Sequence, residues 1–534
     1  MDMIWGRYSA LFYCGLGAIA CAAAALAMPV MWVPAGVLAV LFALGVHDYA
    51  QGQHPVLANY PLLGHFRYWF ESVRPEIRQY FFEDDRDELP YSRNQRAMVY
   101  QRAKQQIAVR PFGSVSDMYR EDHEWLNHSI RPAPLGSPDF RVSVGAGPRA
   151  CSVSVLNASG TSFGALSPPA IQSINTGARL GGFVHNTGEG GISPYHLAGG
   201  GDLIWQVASA YFGCRTPDGR FDPEQFRSKA AAEQVRMIEI KLSQGAKPGH
   251  GGMLLAAKVT PEIAAIRGIE PWKDCVSPAS HSEFSTPAEL LAFAGRLREL
   301  SGGKPVGIKL CIGHPWEFIA IVRAMVETGQ VLDFVTVDGS EGGTGAAPAE
   351  FTDNVGSPLL DALVFVDNCL VGAGLRERVR VAASGKVVSA FDVVRQCAMG
   401  ADWVNMARPF MFAVGCIQAR DCSSGRCPTG VATMDPRRYR VLDVPLKAQR
   451  VANFHANTLH AVAEMLAATG LTHPEQLGRR HIVRRVSASE IRLADQIYPR
   501  VAPRALVDGG EVGDPRLQVY WNRVRPDSFA VQDA

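Results

Sequence analysis

Charge is missing from the start of this chain. Between Tyr8 and Val46 there is no Asp, Glu, Lys, Arg or His. At ~1.5 Å per helical residue, such a run is about twice as long as the ~30 Å hydrocarbon core of a bilayer. Elsewhere charge is present but balanced: 53 Lys and Arg against 51 Asp and Glu leave a formal net charge of +2. No Lys/Arg-rich run with interleaved aromatics occurs, so a nucleic-acid binder is not expected. No G-x-x-x-x-G-K-[ST] string occurs, which removes a P-loop. Gly145-Ala146-Gly147-Pro148 lacks both the third glycine of a dinucleotide fingerprint and a following helix pattern, so no nicotinamide domain is expected. A Ser/His/Asp hydrolase is not expected either. Eleven cysteines is an odd number, and most lie singly in apolar segments. That pattern suits a reducing compartment in which thiols act as small core residues.

The apolar opening reads as a membrane element. Pro29 and Pro34 interrupt it in the middle, which predicts a helical hairpin over roughly Leu11–Met28 and Trp32–Val46. A signal peptide and a buried soluble helix pair are the alternatives. Arg7 precedes the hairpin, Arg67, Arg74 and Arg78 follow it, and the turn between the helices is uncharged. The positive-inside tendency then puts both ends in the cytoplasm, with the hairpin in the cytoplasmic (inner) membrane. Residues 1–48 form this hairpin. Residues 49–148 follow as an aromatic and basic region (His65-Phe66-Arg67-Tyr68-Trp69-Phe70, then Arg74 to Phe82). It suits either a lipid interface or an ordinary amphipathic helix packed on the main domain. Pro/Gly-rich residues 131–148 read as a boundary loop.

From about 149 to 440 the pattern alternates between short β-branched or apolar runs and helical ones. Eight strand candidates lie near Val153–Leu156, Gly182–His185, Met237–Lys241, Asp274–Ser277, Val306–Leu310, Phe334–Val337, Val379–Ala382 and Trp403–Met406. Helical patterns separate them, as at Pro287–Leu300, Trp316–Thr328 and Ala390–Met399. Eight such units predict an α/β fold, a closed (β/α)8 TIM barrel; a doubly wound open sheet is the alternative. The 52 glycines show no period. Many cluster after strand candidates, where backbone amides can approach a flat ring and a phosphate closely. The strings include Asn157-Ala158-Ser159-Gly160-Thr161-Ser162, Asn186-Thr187-Gly188-Glu189-Gly190-Gly191, Gln244-Gly245-Ala246-Lys247-Pro248-Gly249 and Gly342-Gly343-Thr344-Gly345. Ser384 and Gly385 after the seventh strand, and Ala407 and Arg408 after the eighth, fall where this fold usually holds phosphate. Lys309 ends an apolar strand at the same face. It fits either a cation that stabilises negative charge on a reduced ring or a lysine salt-bridged at the barrel mouth. The tail, 441–534, is expected to be mostly helical, with an Arg-rich run (Arg479 to Arg485) read as a solvated packing element.

Just after the eighth strand come Cys416, Cys422 and Cys427, spaced C-x5-C-x4-C and followed by Pro428. Three clustered thiolates can hold an iron–sulfur cluster, since soft sulfur ligands suit iron. The spacing also allows three small buried residues, or a zinc site lacking its fourth ligand.

Taken together, these strings resemble the FMN-binding synthase domain of glutamate synthases, over roughly residues 155–435. The closest matches are Ser162-Phe163-Gly164, the Asn186-to-Gly191 and Gln244-to-Gly249 loops, Gly342-to-Ala346 and the cysteine trio with Cys427-Pro428-Thr429-Gly430. The whole chain is similar to a short, membrane-anchored branch of that family. The resemblance implies FMN and a 3Fe–4S cluster held by Cys416, Cys422 and Cys427. It implies that Lys309 and Gln244 contact the isoalloxazine ring, that Gly342, Gly343 and Thr344 line the site, and that Ser384, Gly385 and Arg408 hold the phosphate. Ser159, Gly160, Ser162 and Ala407 complete the expected cofactor site, and Glu189 joins Lys309 and Gln244 as a catalytic candidate.

The implied reaction is reductive amination of 2-oxoglutarate, or a related 2-oxo acid, to glutamate. Electrons would enter from a donor protein, ferredoxin-like or a reductase subunit, through the cluster to the flavin, and a hydride would pass to an imine of the 2-oxo acid and ammonia. Full glutamate synthases begin with an amidohydrolase domain, whereas this chain begins with Met1-Asp2 and the apolar run; a separate amidotransferase subunit would supply ammonia. Where the family has Lys-Pro-Gly-Glu-Gly-Gly this chain has His250, and Ser280-His281-Ser282-Glu283 and Ser340-Glu341 replace the family's Pro-His-His-Asp and His-Asp. These changes lie at the substrate face. They keep two alternatives open: an amine in place of ammonia, giving an N-substituted glutamate, and a membrane-associated flavin/iron–sulfur electron-transfer subunit. A barrel serving only as scaffold is a third.

Overall fold

The structure, a computed structural model, describes residues 6–86, 90–106, 109 and 111–532. The chain divides into two compact units, Met1–Asp87 and Glu88–Ala534. In the first, helices Ser9–Ala25 and Trp32–Ala50 pack against one another, joined by the short 3-10 turn Pro29–Met31. A Cβ on Gly15 would lie 2.8 Å from the Phe42 ring, so a small residue there lets the helices approach. The stretch Pro29–Ala50 is long and apolar enough to cross a membrane; Ser9–Ala25 is apolar but shorter. Asp48, buried at the end of the second helix, accepts from Leu62 N and bonds His65 Nε2 at 2.9 Å. That clasp fixes the start of helix Gly64–Ile77, along which Phe66, Trp69 and Phe70 stay exposed.

In the second unit eight parallel strands close into a barrel: β1 Leu156–Ala158, β2 His185–Asn186, β3 Leu203–Val207, β4 Val235–Lys241, β5 Val306–Leu310, β6 Phe334–Asp338, β7 Arg380–Ser384 and β8 Trp403–Met406. Each pairs with its sequence neighbour, and β8 returns to β1. The fold is the expected (β/α)8 barrel, and the open doubly wound sheet is excluded by that closure. Two strand assignments change. Leu203–Val207, directly after the Gly199-Gly200-Gly201 turn, is a barrel strand that the sequence reading passed over. Cys275–Val276 instead pairs antiparallel with Met253–Leu254 outside the barrel. The strand expected over Val153–Leu156 splits. Cys151–Ser154 pairs antiparallel with Arg141–Val144, and β1 starts after a bend in which Ser154 Oγ accepts from Leu156 N.

That Arg141–Val144/Cys151–Ser154 hairpin closes the barrel floor. Its Val142, Val144, Cys151 and Val153 pack with Ile204, Met237, Phe334, Ala382 and Trp403 from inside the barrel. Since alternate strand residues face inward, the next inward positions above this apolar floor are Gln206, Glu239, Thr336, Ser384 and Asn405. Above them, at the strand C-termini, come Lys241, Lys309 and Asp338. The chain's patterning therefore grades the interior from apolar floor to charged mouth.

The tail is more than a helix. Val444–Ala468 packs on helix Pro168–Gly181, and His455 Nε2 lies 3.1 Å from Leu156 O at the start of β1. Ile482–Arg485 then joins Glu124–Leu126 and Ile491–Leu493 in a three-stranded antiparallel sheet. The expectation of a solvated Arg-rich run fails at Arg479, which is 1% exposed. Its Nη2 donates to Asp367 Oδ2 at 2.9 Å and its Nη1 to the Tyr498 carbonyl at 2.8 Å. Arg376 bridges the same Asp367 to Asp402. A guanidinium enters the interior here because both of its terminal nitrogens are satisfied, Nη1 by the Tyr498 and Pro499 carbonyls and Nη2 by Asp367 and Asn368. Arg479→Ala is expected to cost about 3–5 kcal/mol, because it leaves part of a buried carboxylate unpaired. Arg479→Lys should recover less than half of that, since a single ammonium cannot reproduce the fork. Denaturant melts of the three proteins check this.

Candidate active site at the barrel mouth

The mouth is built from strand ends inward. Glu239, on β4, is fully buried at mid-barrel. Its Oε1 accepts from Asn186 Nδ2 and Gln206 Nε2, and its Oε2 from Thr336 Oγ1, each at 2.7 Å. One turn of the pleat higher, Lys241 and Lys309 are directly opposed in the β4–β5 register. Two ammonium groups side by side repel, and each is matched with a carboxylate. Lys241 Nζ donates to Glu189 Oε2 and to Gln244 Oε1, both at 2.6 Å. Lys309 Nζ lies 3.4 Å from Asp338 Oδ2, which also accepts from Gly245 N at 2.9 Å. Burial by itself would lower the Lys309 ammonium, but Asp338, Glu239 and Glu189 outweigh it and hold it above the ordinary lysine value. Burial pushes the Glu189 carboxyl up, and Lys241, Lys247 and Arg267 bring it down to about 2. Lys247 is 1% exposed, and burial lowers it; its ammonium makes no hydrogen bond among the described residues.

Lys309, Gln244 and Glu189, the three catalytic candidates, are therefore brought together, each through a partner that the sequence reading did not single out. The cofactor candidates converge as well. Ser159 Oγ, past β1, lies 3.5 Å from Ser384 Oγ at the end of β7. Gly385 follows at φ +141° and Lys386 at φ +43°; among the described residues the Lys386 and Val387 amides donate to no protein acceptor. Ala407 and Arg408 open helix Arg408–Val414 directly after β8. Arg408 Nη2 donates to the Glu341 carbonyl at 3.3 Å, and its guanidinium sits 4.6 Å over the Tyr91 ring. Gly343 packs on that guanidinium so closely that a Cβ would fall 2.5 Å from Arg408 Nη1. A Cβ on Gly160 would lie 3.2 Å from Asn186 Oδ1, and Ser162 lies beside Gly188 and Gly190. Gly342 touches the Gly245 loop, while Thr344 stays exposed. Gly160 to Gly164 also matches G-x-S-x-G letter for letter, but no histidine bonds Ser162 among the described residues, so the string carries no triad.

The cysteine loop lies alongside. A Cβ on Gly345 would be 3.4 Å from Cys422 Cβ, so the Gly342–Ala346 loop reaches the thiols. The three thiols influence one another: Cys422 and Cys427 add to the burial that raises Cys416 to about 12, and Cys427 adds to the burial that raises Cys422. Burial also acts upward on Cys427, but bonds from the Ala432, Thr429 and Val431 backbone and the Thr429 hydroxyl leave it below the ordinary thiol value. Among the described residues no three His, Cys, Asp or Glu side chains are close enough to share a single metal ion.

The loop is held by residues that the sequence reading did not single out. Tyr100 OH donates to Cys416 O at 2.6 Å, and Gln418, at φ +62°, accepts from Tyr91 N and donates to Tyr91 O. Lys258 Nζ donates to the carbonyls of Ala165, Cys422 and Ala432, and burial lowers it to about 8. His281, the one residue of the Ser280–Glu283 stretch that keeps the family's type, is buried; its Nε2 lies 2.9 Å from Lys241 O. Only Lys241 and Glu239 carried a legible signal: charges at every second place of the otherwise apolar Met237–Lys241 strand point into the barrel.

Fold and site together define a glutamate synthase-like oxidoreductase on a (β/α)8 barrel, and the chain belongs to the glutamate synthase family. Residues 148–472 match the family described as the conserved region in glutamate synthase. The chain is similar to the glutamate synthase large subunit-like protein YerD of Bacillus subtilis (strain 168), 37% identical over 510 residues that cover 87% of this chain and 96% of that one. It is also similar to the archaeal glutamate synthase [NADPH] of Methanocaldococcus jannaschii, 37% identical over 334 residues, 62% of each chain. A solved structure, a mutant flavocytochrome b2 with pyruvate bound, aligns over 86% of this chain and 94% of its own at 13% identity and TM-score 0.41, too low a likeness to bear on cofactor or substrate.

The Glu189 carboxyl sets a pH dependence. Its folded value, about 2, lies below the ordinary 4.5, so its stabilisation is fully present above about pH 5 and is lost as pH falls toward 2. Glu189→Gln is expected to destabilise by about 3 kcal/mol at pH 7, with the gap to the unaltered protein constant from pH 6 to 8 and closing below pH 4. Melts across that range test it.

Proposed function

We propose that this protein is an FMN- and 3Fe–4S-dependent oxidoreductase that reductively aminates 2-oxoglutarate, or a related 2-oxo acid, to glutamate. One observation carries the reading: the ammonium groups of Lys241, Lys247 and Lys309 gather at a barrel mouth whose eighth strand leads into the three-thiol loop. The residues fit both groups. For the flavin phosphate there are the amides after Gly385 that have no protein acceptor among the described residues, the Ser159 and Ser384 hydroxyls, and Arg408 against Gly343, where a Cβ would displace the guanidinium. For the cluster the donor set is all sulfur, and its thiols act on one another electrostatically. When bound, FMN would supply a two-electron hydride and the 3Fe–4S cluster one-electron relay.

The chain's own groups then have distinct tasks. Lys309, kept protonated by Asp338, Glu239 and Glu189, stabilises negative charge that develops at the mouth. Lys247, buried without a partner, is a cation available to a substrate carboxylate. Lys241 fixes Gln244 by its Oε1, which leaves Nε2 as a donor. Glu189, ionised throughout the physiological range, holds the Lys241 side chain in place. The donor protein and a separate source of ammonia remain partners in this reading. We also propose that the N-terminal hairpin anchors the protein in the cytoplasmic membrane with the barrel on the cytoplasmic side. The 22-residue apolar stretch Pro29–Ala50 and the uncharged turn flanked by Arg7, Arg67, Arg74 and Arg78 support this.

Protein prepared anaerobically should carry both FMN and iron and form glutamate from 2-oxoglutarate and ammonium with dithionite as reductant. Cys422→Ser should lose the iron absorbance and retain FMN. Unchanged iron in that variant removes the ligand assignment. Intact cofactors without glutamate from any 2-oxo acid tried remove the reaction.

A further inference from the structure

We propose that helix Gly64–Ile77, with the turn that continues it, lies along the headgroup layer of the membrane and docks there on an anionic phospholipid surface. This deepens the proposed membrane anchoring and rests on it, because the helix meets a bilayer only if the hairpin before it enters one.

The helix has two unlike sides. Phe66, Trp69, Phe70, Val73 and Ile77 recur at steps of three and four residues, which sets them along one face. Arg67, Glu71, Arg74 and Arg78 repeat at the same steps in a neighbouring row, and Ser72 lies on the far side. Past Ile77 the chain continues in a single π turn, Arg78–Phe82, which adds Tyr80, Phe81 and Phe82. None of these aromatics is covered. Phe66, Trp69 and Phe70 are 56–60% exposed, and Phe81 and Phe82 are 80% and 79% exposed. So many large rings within seventeen residues exceed the scattered apolar side chains of an ordinary surface, and such a patch marks a contact face.

The bilayer is the occupant that its surroundings favour. The helix starts where the membrane-length stretch Pro29–Ala50 ends. Asp48, buried at that end, accepts from Leu62 N and bonds His65 Nε2, so one carboxylate ties the first turn of the aromatic helix to the foot of the span. Tyr49 and Tyr60, also exposed, stand at the same junction. The face is built mainly of Phe, Trp and Tyr rather than of Leu and Val. Aromatic rings collect at the boundary between lipid and water, and a soluble core shows no such bias. Charge agrees. Arg67 pairs with Glu71 at 3.1 Å, whereas the guanidinium groups of Arg74 and Arg78 have no carboxylate partner among the described residues. Both are exposed beside the aromatic face. A helix lying in the interface puts its apolar side toward the acyl chains and such arginines at the level of the phosphates, where each guanidinium can form two parallel hydrogen bonds.

The test is photo-crosslinking of the full-length protein in nanodiscs of phosphatidylglycerol and phosphatidylcholine. Phe70, Phe81, Ser72 and Val40 are replaced one at a time by benzoylphenylalanine, and the adducts are identified by mass. Val40, exposed on the span, reports on the hairpin itself. Positions 70 and 81 should give phospholipid adducts at about tenfold or more the yield of position 72, and position 40 should give them as well. Arg74→Glu/Arg78→Glu should lower the adducts at 70 and 81 about fivefold or more and leave those at 40 unchanged. Arg74→Lys/Arg78→Lys should keep them. Lipid adducts at 40 with none at 70 and 81 overturn the docking and leave the anchor standing, whether those two positions join barrel peptides, a second copy or nothing. Adducts at 70 and 81 that are indifferent to charge reversal overturn the contact with anionic headgroups. No lipid adduct at any of the four positions removes the anchor, and the docking falls with it.

Discussion

The rest of the barrel depends on the buried carboxylate of Glu239. A carboxyl group in a dry interior is costly unless its oxygens are satisfied. Here three side chains on three other strands, Asn186, Gln206 and Thr336, donate to it. That requirement makes the middle layer of the barrel polar and fixes the register of β2, β3, β4 and β6 together, because a one-residue slip would turn every donor outward. It also conditions the layer above. Glu239 is one of the carboxylates that hold Lys309 protonated despite its burial. The opposed Lys241 and Lys309 are tolerable only because Glu189 and Asp338 stand beside them. The mouth is thus a set of largely compensated charges, in which the Lys247 ammonium makes no hydrogen bond among the described residues.

The loops turn that electrostatic frame into a site. Gly245 is where the constraint is tightest: any Cβ there would lie 1.9 Å from the Gly339 carbonyl, so the loops after β4 and β6 touch backbone to backbone. This contact brings the Gln244 and Gly342–Gly343 segments to one side of the mouth. Gly345 then meets Cys422, so the ring-side loop and the thiol loop are mechanically continuous. On its far side the thiol loop is gripped by Tyr91 and Tyr100, which come from before the barrel, and Tyr91 also lies beneath the Arg408 guanidinium. One tyrosine therefore touches both Arg408 and the loop that bears the cysteines.

Much of this was legible in the chain. Strand and helix alternation, glycine strings at strand ends and three closely spaced cysteines pointed to a barrel, and the residues singled out at the mouth do meet there. The misses have physical causes. Leu203–Val207 is short and fully buried, so it shows no alternation to mark it as a strand. Asp274–Ser277 has strand-like composition, but composition does not say which sheet a strand joins. Arg479 looked like part of a charge run because burial of a guanidinium depends on acceptors 112 and 111 residues away, at Asp367 and Asn368. Tyr91, Tyr100 and Lys258 act through backbone carbonyls and amides, and a sequence does not show which backbone a side chain will reach.

From the linear chain come the periodic features: strand–helix alternation and an apolar opening long enough to span a bilayer. Those features follow from local spacing, which a linear chain states directly. Pairing is settled only once the chain has folded. Which lysine finds which carboxylate, which lysine is left without one, and how the thiol loop is clamped depend on barrel closure and strand stagger. These bring together residues far apart in the chain, as with Tyr91 and Gln418, 327 positions apart. Electrostatic compensation is a property of distance in space, so it exists only once the barrel has closed.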